Sequence, residues 1–140
     1  MQRNGFTLIE LMVVIVIVGI LAALATPAFY RMRERAREAA VRTNAHTVQL
    51  AAEDFAAQNN GVYATDDTSA LPSGDRLSDM VPNTLRNPFD RLDPTAVVWN
   101  GAADAVGRIG YDTSLNPGAH YAIDGQGEGG IVVIAINNGS

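Results

Sequence analysis

Hydrophobic and polar positions follow three different regimes along this chain. From Leu11 to Ala25 no side chain is polar, and Gly19 is the only interruption. The wider segment from Leu8 to Ala28 is long enough, at roughly 1.5 Å per residue, to cover a ~30 Å hydrocarbon core, which predicts a membrane helix. Tyr30 to Gln58 then contains no Gly or Pro and is dominated by the strong helix formers Ala, Arg, Glu and Gln. Within it Val41, Ala45, Val48, Ala52 and Phe55 recur at steps of four and three, the mark of a helix with one apolar stripe. Asn59-Asn60-Gly61 supplies a stop. The expectation is one helix from Phe6 to Asn59, ~54 residues and about 80 Å long.

Beyond Gly61 the period changes. Residues 60–95 read as a connecting loop, with Leu71, Leu77, Met80 and Val81 as scattered anchors and a single helical turn between Ser78 and Val81. Asn87-Pro88-Phe89-Asp90 is a turn that offers Phe89 as a plug into the core. Residues 96–140 read as strands: Ala96–Trp99 closed by Asn100-Gly101, Gly107–Asp112, His120–Asp124, and Ile131–Ile136, whose apolarity suggests a central position. Asn116-Pro117-Gly118 and Asp124-Gly125 favour antiparallel hairpins. A sheet with one wet face needs a cover for the other, and the stripe from Val41 to Phe55 is available. The fold class is α+β: a long N-terminal helix packed on a three- or four-stranded antiparallel sheet, with helix half 31–59, loop 60–95 and sheet 96–140 forming a globular domain.

Glu10 is the one charge inside the apolar segment. An ionised carboxylate there costs at least ~2.5 kcal/mol, so it suggests function and a partner. No basic residue lies within the run. An α-amino group at Phe6 would be the nearest cation if the chain were cut after Gly5, where the missing side chain lets a peptidase approach the backbone.

Gly5-Phe6-Thr7-Leu8-Ile9-Glu10 followed by an apolar stretch resembles the class III signal of type IV pilins and of their relatives, the pseudopilins of type II secretion. The resemblance implies a prepilin peptidase that removes residues 1–5 by cutting between Gly5 and Phe6, then N-methylates Phe6. It implies that residues 6–30 serve first as a single-pass anchor in the inner membrane and then as filament core. It also implies that Glu10 meets the N-terminal amine of a neighbouring subunit. Gly19 and Pro27 fall where pilins commonly carry Gly and Pro, and the stretch between them is the candidate for melting during assembly. The expected fold becomes a pilin-like roll. The expected partners are copies of itself in a helical filament, the peptidase and the pilus assembly platform. The expected function is structural subunit (major pilin) of an extracellular type IV pilus. The alternatives are a periplasmic pseudopilin of type II secretion and a minor or competence pilin involved in DNA uptake. An ordinary secretory signal cut after Ala23-Leu24-Ala25 fits less well, because Glu10 sits near the start of the apolar core and no multi-residue basic region precedes it.

Composition narrows the chemistry. The absence of cysteine excludes disulfides, thiol nucleophiles and zinc-thiolate sites, so the C-terminal region must hold by packing where many pilins use a disulfide. All ten basic residues are Arg, which removes Schiff-base chemistry and a P-loop lysine. Without Arg3 in the leader, nine Arg stand against fifteen acids. That balance argues against broad attraction to nucleic acid, for which Arg76, Arg86, Arg91 and Arg108 would be the only candidates outside the helix. Arg31, Arg33, Arg35 and Arg37 follow the span among Glu34 and Glu38. Counting Lys and Arg alone would place that end in the cytoplasm, whereas the resemblance places it outside; within a filament these arginines suit salt bridges between subunits. Asp124, Gln126, Glu128 and Gly129 match the opening of an EF-hand loop, but Ala135 stands where the closing Glu belongs, so a glycine-rich hairpin is expected. His46 and His120 have no second histidine at ligand spacing, and Gly125–Gly130 lacks a following helix and a basic residue for phosphate. Asn138-Gly139-Ser140 is a formal glycosylation sequon. No catalytic residue, metal or cofactor is expected.

Overall fold

The computed structural model describes residues 5–90 and 92–139, so residues 1–4 of the expected leader, Arg91 and Ser140 of the formal sequon lie outside the described residues. In chain order the elements are helix α1 (Leu8–Gln58), a one-turn helix α2 (Leu77–Met80), strands β1 (Val97–Trp99), β2 (Ile109–Asp112) and β3 (Ala122–Gln126), a 3-10 turn at Glu128–Gly130, and strand β4 (Val132–Asn137). The chain divides into two units, residues 1–35 and 36–140. In the first, every described side chain is exposed, from Phe6 through Arg35. The second is a long helix-end and a sheet around one core.

The stripe predicted on the second half of α1 is the buried face. Val41, Ala45, Val48, Ala52 and Phe55 are all sealed from solvent, joined by Ala51 and Ala56. Opposite them lie Ile109 and Tyr111 of β2 and Ile123 of β3, with Val97, Trp99, Ile134 and Ile136 packed around the rim. Asn60 and Gly61 end the helix in left-handed backbone (φ 57° and 83°), and the Gly61 N–H returns to Ala56 O at 2.8 Å, a Schellman-type close. The loop anchors bury as expected: Leu71, Leu77 and Val81 join the core and Met80 packs against it.

A hydrogen-bonded aromatic cluster ties loop and sheet to the helix. Glu53 accepts from the hydroxyls of Tyr63 (2.9 Å) and Tyr121 (2.6 Å), while the Tyr111 hydroxyl donates to Ala64 O at 2.9 Å. Trp99, Tyr111, Tyr121 and Tyr63 form successive ring contacts with centroids 5.0 to 6.0 Å apart. Burial, then the neighbouring Tyr63 and Glu53, pushes the Tyr111 phenol well above its ordinary range. Burial followed by the bond to Glu53 does the same to Tyr121.

The sheet departs from the sequence expectation in three ways. It is four-stranded in the order β1-β2-β3-β4, but β1 pairs with β2 in parallel, so it is mixed rather than antiparallel. The chain turns at Asn100 (φ 64°), bridges Gly101 antiparallel to Tyr111, crosses β2, and turns again at Gly107 (φ 85°) before entering β2. That crossing needs Gly110: a Cβ there would strike the backbone of Ala102 and Ala103. Asp124 Oδ1 accepts from Ala103 N at 2.9 Å and the Gln126 amide donates to Ala103 O, fixing the crossing segment to β3.

The second difference is β4, expected at the centre and found at the edge, paired only with β3 among the described strands. Its apolarity serves packing on the helix: Val133, Ile134 and Ile136 rest on the core, while Ile131 and Val132 are exposed. The third concerns Asp124-Gly125, which lies inside β3; the reversal comes later, at Gly127–Gly130, where Gly129 and Gly130 have positive φ. Gly125 is needed within the strand because a Cβ there would press on Val41 and Ile134.

The Asn87-Pro88-Phe89 turn is anchored by its first residue. Asn87 is buried; its side chain donates to Val106 O (2.9 Å) and accepts from the N–H groups of Phe89 (2.9 Å) and Asp90 (3.2 Å). Phe89 is only half-buried and carries the Arg37 guanidinium 5.5 Å above its ring.

Candidate functional site

Thr7 and Glu10 build the start of α1 together. The N–H and hydroxyl of Thr7 donate to Glu10 Oε2 at 2.9 and 2.7 Å, and Glu10 N–H donates back to Thr7 Oγ1 at 3.3 Å. This is a reciprocal capping box, which satisfies N–H groups that the first helical turn leaves without partners. It also places a carboxylate at the helix N-terminus, where the macrodipole favours it. The helix accordingly begins at Leu8 and not at Phe6. Glu10 Oε1, by contrast, accepts no hydrogen bond among the described residues.

Thr7 is the residue that sequence reasoning passes over, although Thr7-x-x-Glu10 before an apolar run is a capping-box signature. Phe6 is largely exposed next to it, and Phe6, Ile9, Val13 and Val14 line an open apolar groove beside Glu10. Gly5 and Phe6 immediately precede the helix, and Glu10 lies in its first turn. Gly19 and Pro27 lie further along the same helix.

At those two positions the helix is continuous. Pro27 brings no N–H to the ladder, and Thr26 one residue earlier bonds back to Ala22 O at 2.7 Å, a contact that loosens and bends helices. A Cβ placed on Gly19 would meet nothing within 4 Å, so packing inside this chain does not require a glycine there. Residues 19–27 thus combine a flexible residue, a back-bonded threonine and a missing donor.

The other constellations are occupied by structure. Asp124 and Gln126 hold Ala103, and Glu128 sits exposed on the 3-10 turn. His46 Nδ1 lies 3.1 Å from Gln49 Oε1 on the same helix, and His120 is exposed beside Gly139. Asn138 spends both ends of its amide, accepting from Tyr121 N at 2.7 Å and donating to Ala119 O at 3.3 Å. No group of three or more potential metal ligands gathers among the described residues. Arg33 lies 5.9 Å over Phe29, and Arg31, Arg33 and Arg35 are exposed. Among the described residues one helix, α1, is long and apolar enough to cross a membrane.

Comparison with known proteins places the same N-terminal stretch within a known sequence motif. The model of the prokaryotic N-terminal methylation motif matches residues 1–26. The type IV narrow pilus major component PilA5 of Thermus thermophilus is 36% identical over 118 residues, which cover 83% of this chain and 97% of that protein. The chain belongs to the type IV pilin family. Two further relatives are the type IV major pilin proteins PilA of Myxococcus xanthus and PilE of Neisseria gonorrhoeae. The first is 43% identical over 54 residues (39% of this chain, 24% of that protein), the second 44% over 68 residues (49% and 40%). This pilin therefore shares less than half the length of those two, whereas it spans nearly all of the Thermus protein. No solved structure matches the chain significantly.

Proposed function

We propose that this pilin is the major structural subunit of a type IV pilus, made as a membrane-anchored prepilin and polymerised through α1. The observation that carries the reading is an entirely exposed apolar helix, Leu8 to Phe29, headed by Gly5-Phe6-Thr7-Leu8-Ile9-Glu10. Such a surface is untenable in water, and burial among copies of itself offers the same hydrophobic gain as lipid, at roughly 25 cal/mol per Å² of apolar surface removed from water. Cleavage between Gly5 and Phe6 by a prepilin peptidase leaves Thr7 and the capping box in place and creates an amine at Phe6. The free Oε1 of Glu10 is then the acceptor for the Phe6 amine of a neighbouring copy. A mis-stacked copy would bury both charges unpaired, so this contact sets the register. The weak stretch from Gly19 to Pro27 lets the helix lengthen locally as copies stack.

Mass spectrometry of the N-terminus on sheared surface filaments tests the reading. A chain beginning at N-methylated Phe6 as the abundant species is expected; because the chain contains no Lys, that terminus is also its only aliphatic amine and can be probed selectively. The same terminus confined to membrane fractions would make the protein a pseudopilin or a minor subunit, and an intact Met1 would end the reading. Substitutions at Glu10 separate its two roles. Glu10→Gln keeps an acceptor for Thr7 and removes the charge, whereas Glu10→Ala removes both. Both variants should be cleaved normally and yield few or misordered filaments; normal filaments from Glu10→Gln would show that the charge is dispensable.

A further inference from the structure

Charge is distributed in two blocks along the part of the chain that follows the apolar segment. Residues 31–42 hold five arginines (31, 33, 35, 37, 42) against Glu34 and Glu38, while residues 43–140 hold four arginines against twelve acids. Two of the five are occupied on rings, Arg33 on Phe29 and Arg37 on Phe89, and Arg42 Nε donates to Val133 O at 3.2 Å. Arg31 and Arg35 stand one helical turn apart on the same side of α1, both exposed, and neither forms an ion pair or hydrogen bond among the described residues.

On the acidic side, the segment from Asp66 to Asp79 carries four aspartates and one arginine. Asp66 is committed locally: its Oδ1 accepts from Thr68 and Ser69. Asp75 and Asp79 are exposed and each uses only Oδ2, for Ser73 Oγ and for Arg76 N respectively. Each therefore presents an open carboxylate oxygen, and Asp79 is carried on α2 itself.

We infer that Arg31 and Arg35 of one copy dock on Asp75 and Asp79 of a second copy, so that a charge-matched contact accompanies the burial of the apolar helices. The inference rests on the filament reading above. Isolated exposed ion pairs contribute little, but in a polymer each pair recurs at every subunit, and guanidinium–carboxylate contacts at a partly dried interface reject like-charged neighbours strongly. The contact therefore acts chiefly on which neighbour is accepted. An anionic lipid headgroup is the competing occupant of the arginines, and it makes no demand on Asp75 or Asp79.

The test is charge reversal in the full-length protein, expressed with its assembly machinery. Arg31→Glu/Arg35→Glu should be cleaved normally, remain in the membrane at the parental level, and lower the sheared filament yield by about ten-fold or more. Asp75→Arg/Asp79→Arg should do the same, and combining all four should restore filaments. Unchanged yield in either double variant would overturn the inference, as would failure of the combined variant to restore filaments while its Trp99 fluorescence remains native. Loss of the arginine variant from the membrane before assembly would overturn it in favour of lipid binding. The parental chain keeps the two readings apart, because parental filaments alongside unaffected variants sink only this contact. Absence of parental filaments sinks the pilus reading itself.

Discussion

The two halves of α1 belong to one unbroken helix and have opposite relations to their own chain. From Phe6 to Met32 the large apolar side chains are exposed, with Phe6 at 81% and Leu24 at 72%, whereas Val41, Ala45, Val48 and Ala52 are at 0%. The difference lies in patterning. A segment that is apolar all round cannot be covered by one sheet and must find lipid or other copies, while a stripe one side wide is completed by the chain that carries it. Stability of the globular unit is therefore written from residue 36 onward, and the apolar surface left without a cover of its own is written before it.

Trp99, the only tryptophan, lies against Tyr111 with centroids 5.8 Å apart and reports on the globular unit, so its fluorescence during urea unfolding in detergent can test that separation. The largest effect is expected from Phe55→Ala, which should cost ~3–5 kcal/mol because the ring is sealed in the core. A loss below ~1 kcal/mol would mean that the stripe is not the structural face. Gly110→Val comes next, at ~1–3 kcal/mol or more, since its side chain has to displace the backbone crossing at Ala102 and Ala103. Gly19→Ala in the other half meets nothing and should leave the Trp99 transition unmoved, although it strengthens the helix by ~1 kcal/mol and should hinder any melting there during assembly.

Two pH effects follow, both confined to the globular unit. The Tyr111 and Tyr121 phenols are raised in the folded state, so their contribution is complete below the ordinary phenol value of about 10 and is lost as pH climbs towards the folded values. The chain should weaken above about pH 10, and Tyr111→Phe/Tyr121→Phe should flatten that decline. Asp93 moves the other way: the Thr95 N–H first, then the Arg108 guanidinium at 2.7 Å, hold its carboxyl below the usual range. Its contribution is present above about pH 4 and is lost as pH falls through the depressed folded value, so Asp93→Asn should make acid unfolding shallower. The smallest effect belongs to the apolar half, where Val16→Ala should change the Trp99 transition by less than ~0.5 kcal/mol, since Val16 touches no core. A shift above ~1 kcal/mol would break the separation of roles.

How far each part could be read from the sequence follows the same division. The stop at Asn60-Gly61, the stripe from Val41 to Phe55 and the loop anchors Leu71 and Leu77 were legible, since each depends on spacing within a few residues. At the helix start, the positions of Glu10 and Phe6 are legible, whereas the bond to Thr7 is carried by a single Thr-x-x-Glu spacing that reads as nothing more than one charge at the edge of an apolar run. The strand pattern identified four strands and misplaced β4, because an apolar run reads the same whether it is central or an edge strand resting on a helix.

The sequence alone determined what depends on neighbours along the chain: an all-round apolar segment, a one-sided stripe, a cap and a stop, each a matter of helical period and backbone freedom. Tertiary structure alone decided the order and direction of the strands. An alternating pattern satisfies a parallel or an antiparallel neighbour equally. Only the crossing of residues 100–108 over the bare backbone of Gly110, pinned by Asp124 and Gln126 to Ala103, makes β1 run alongside β2.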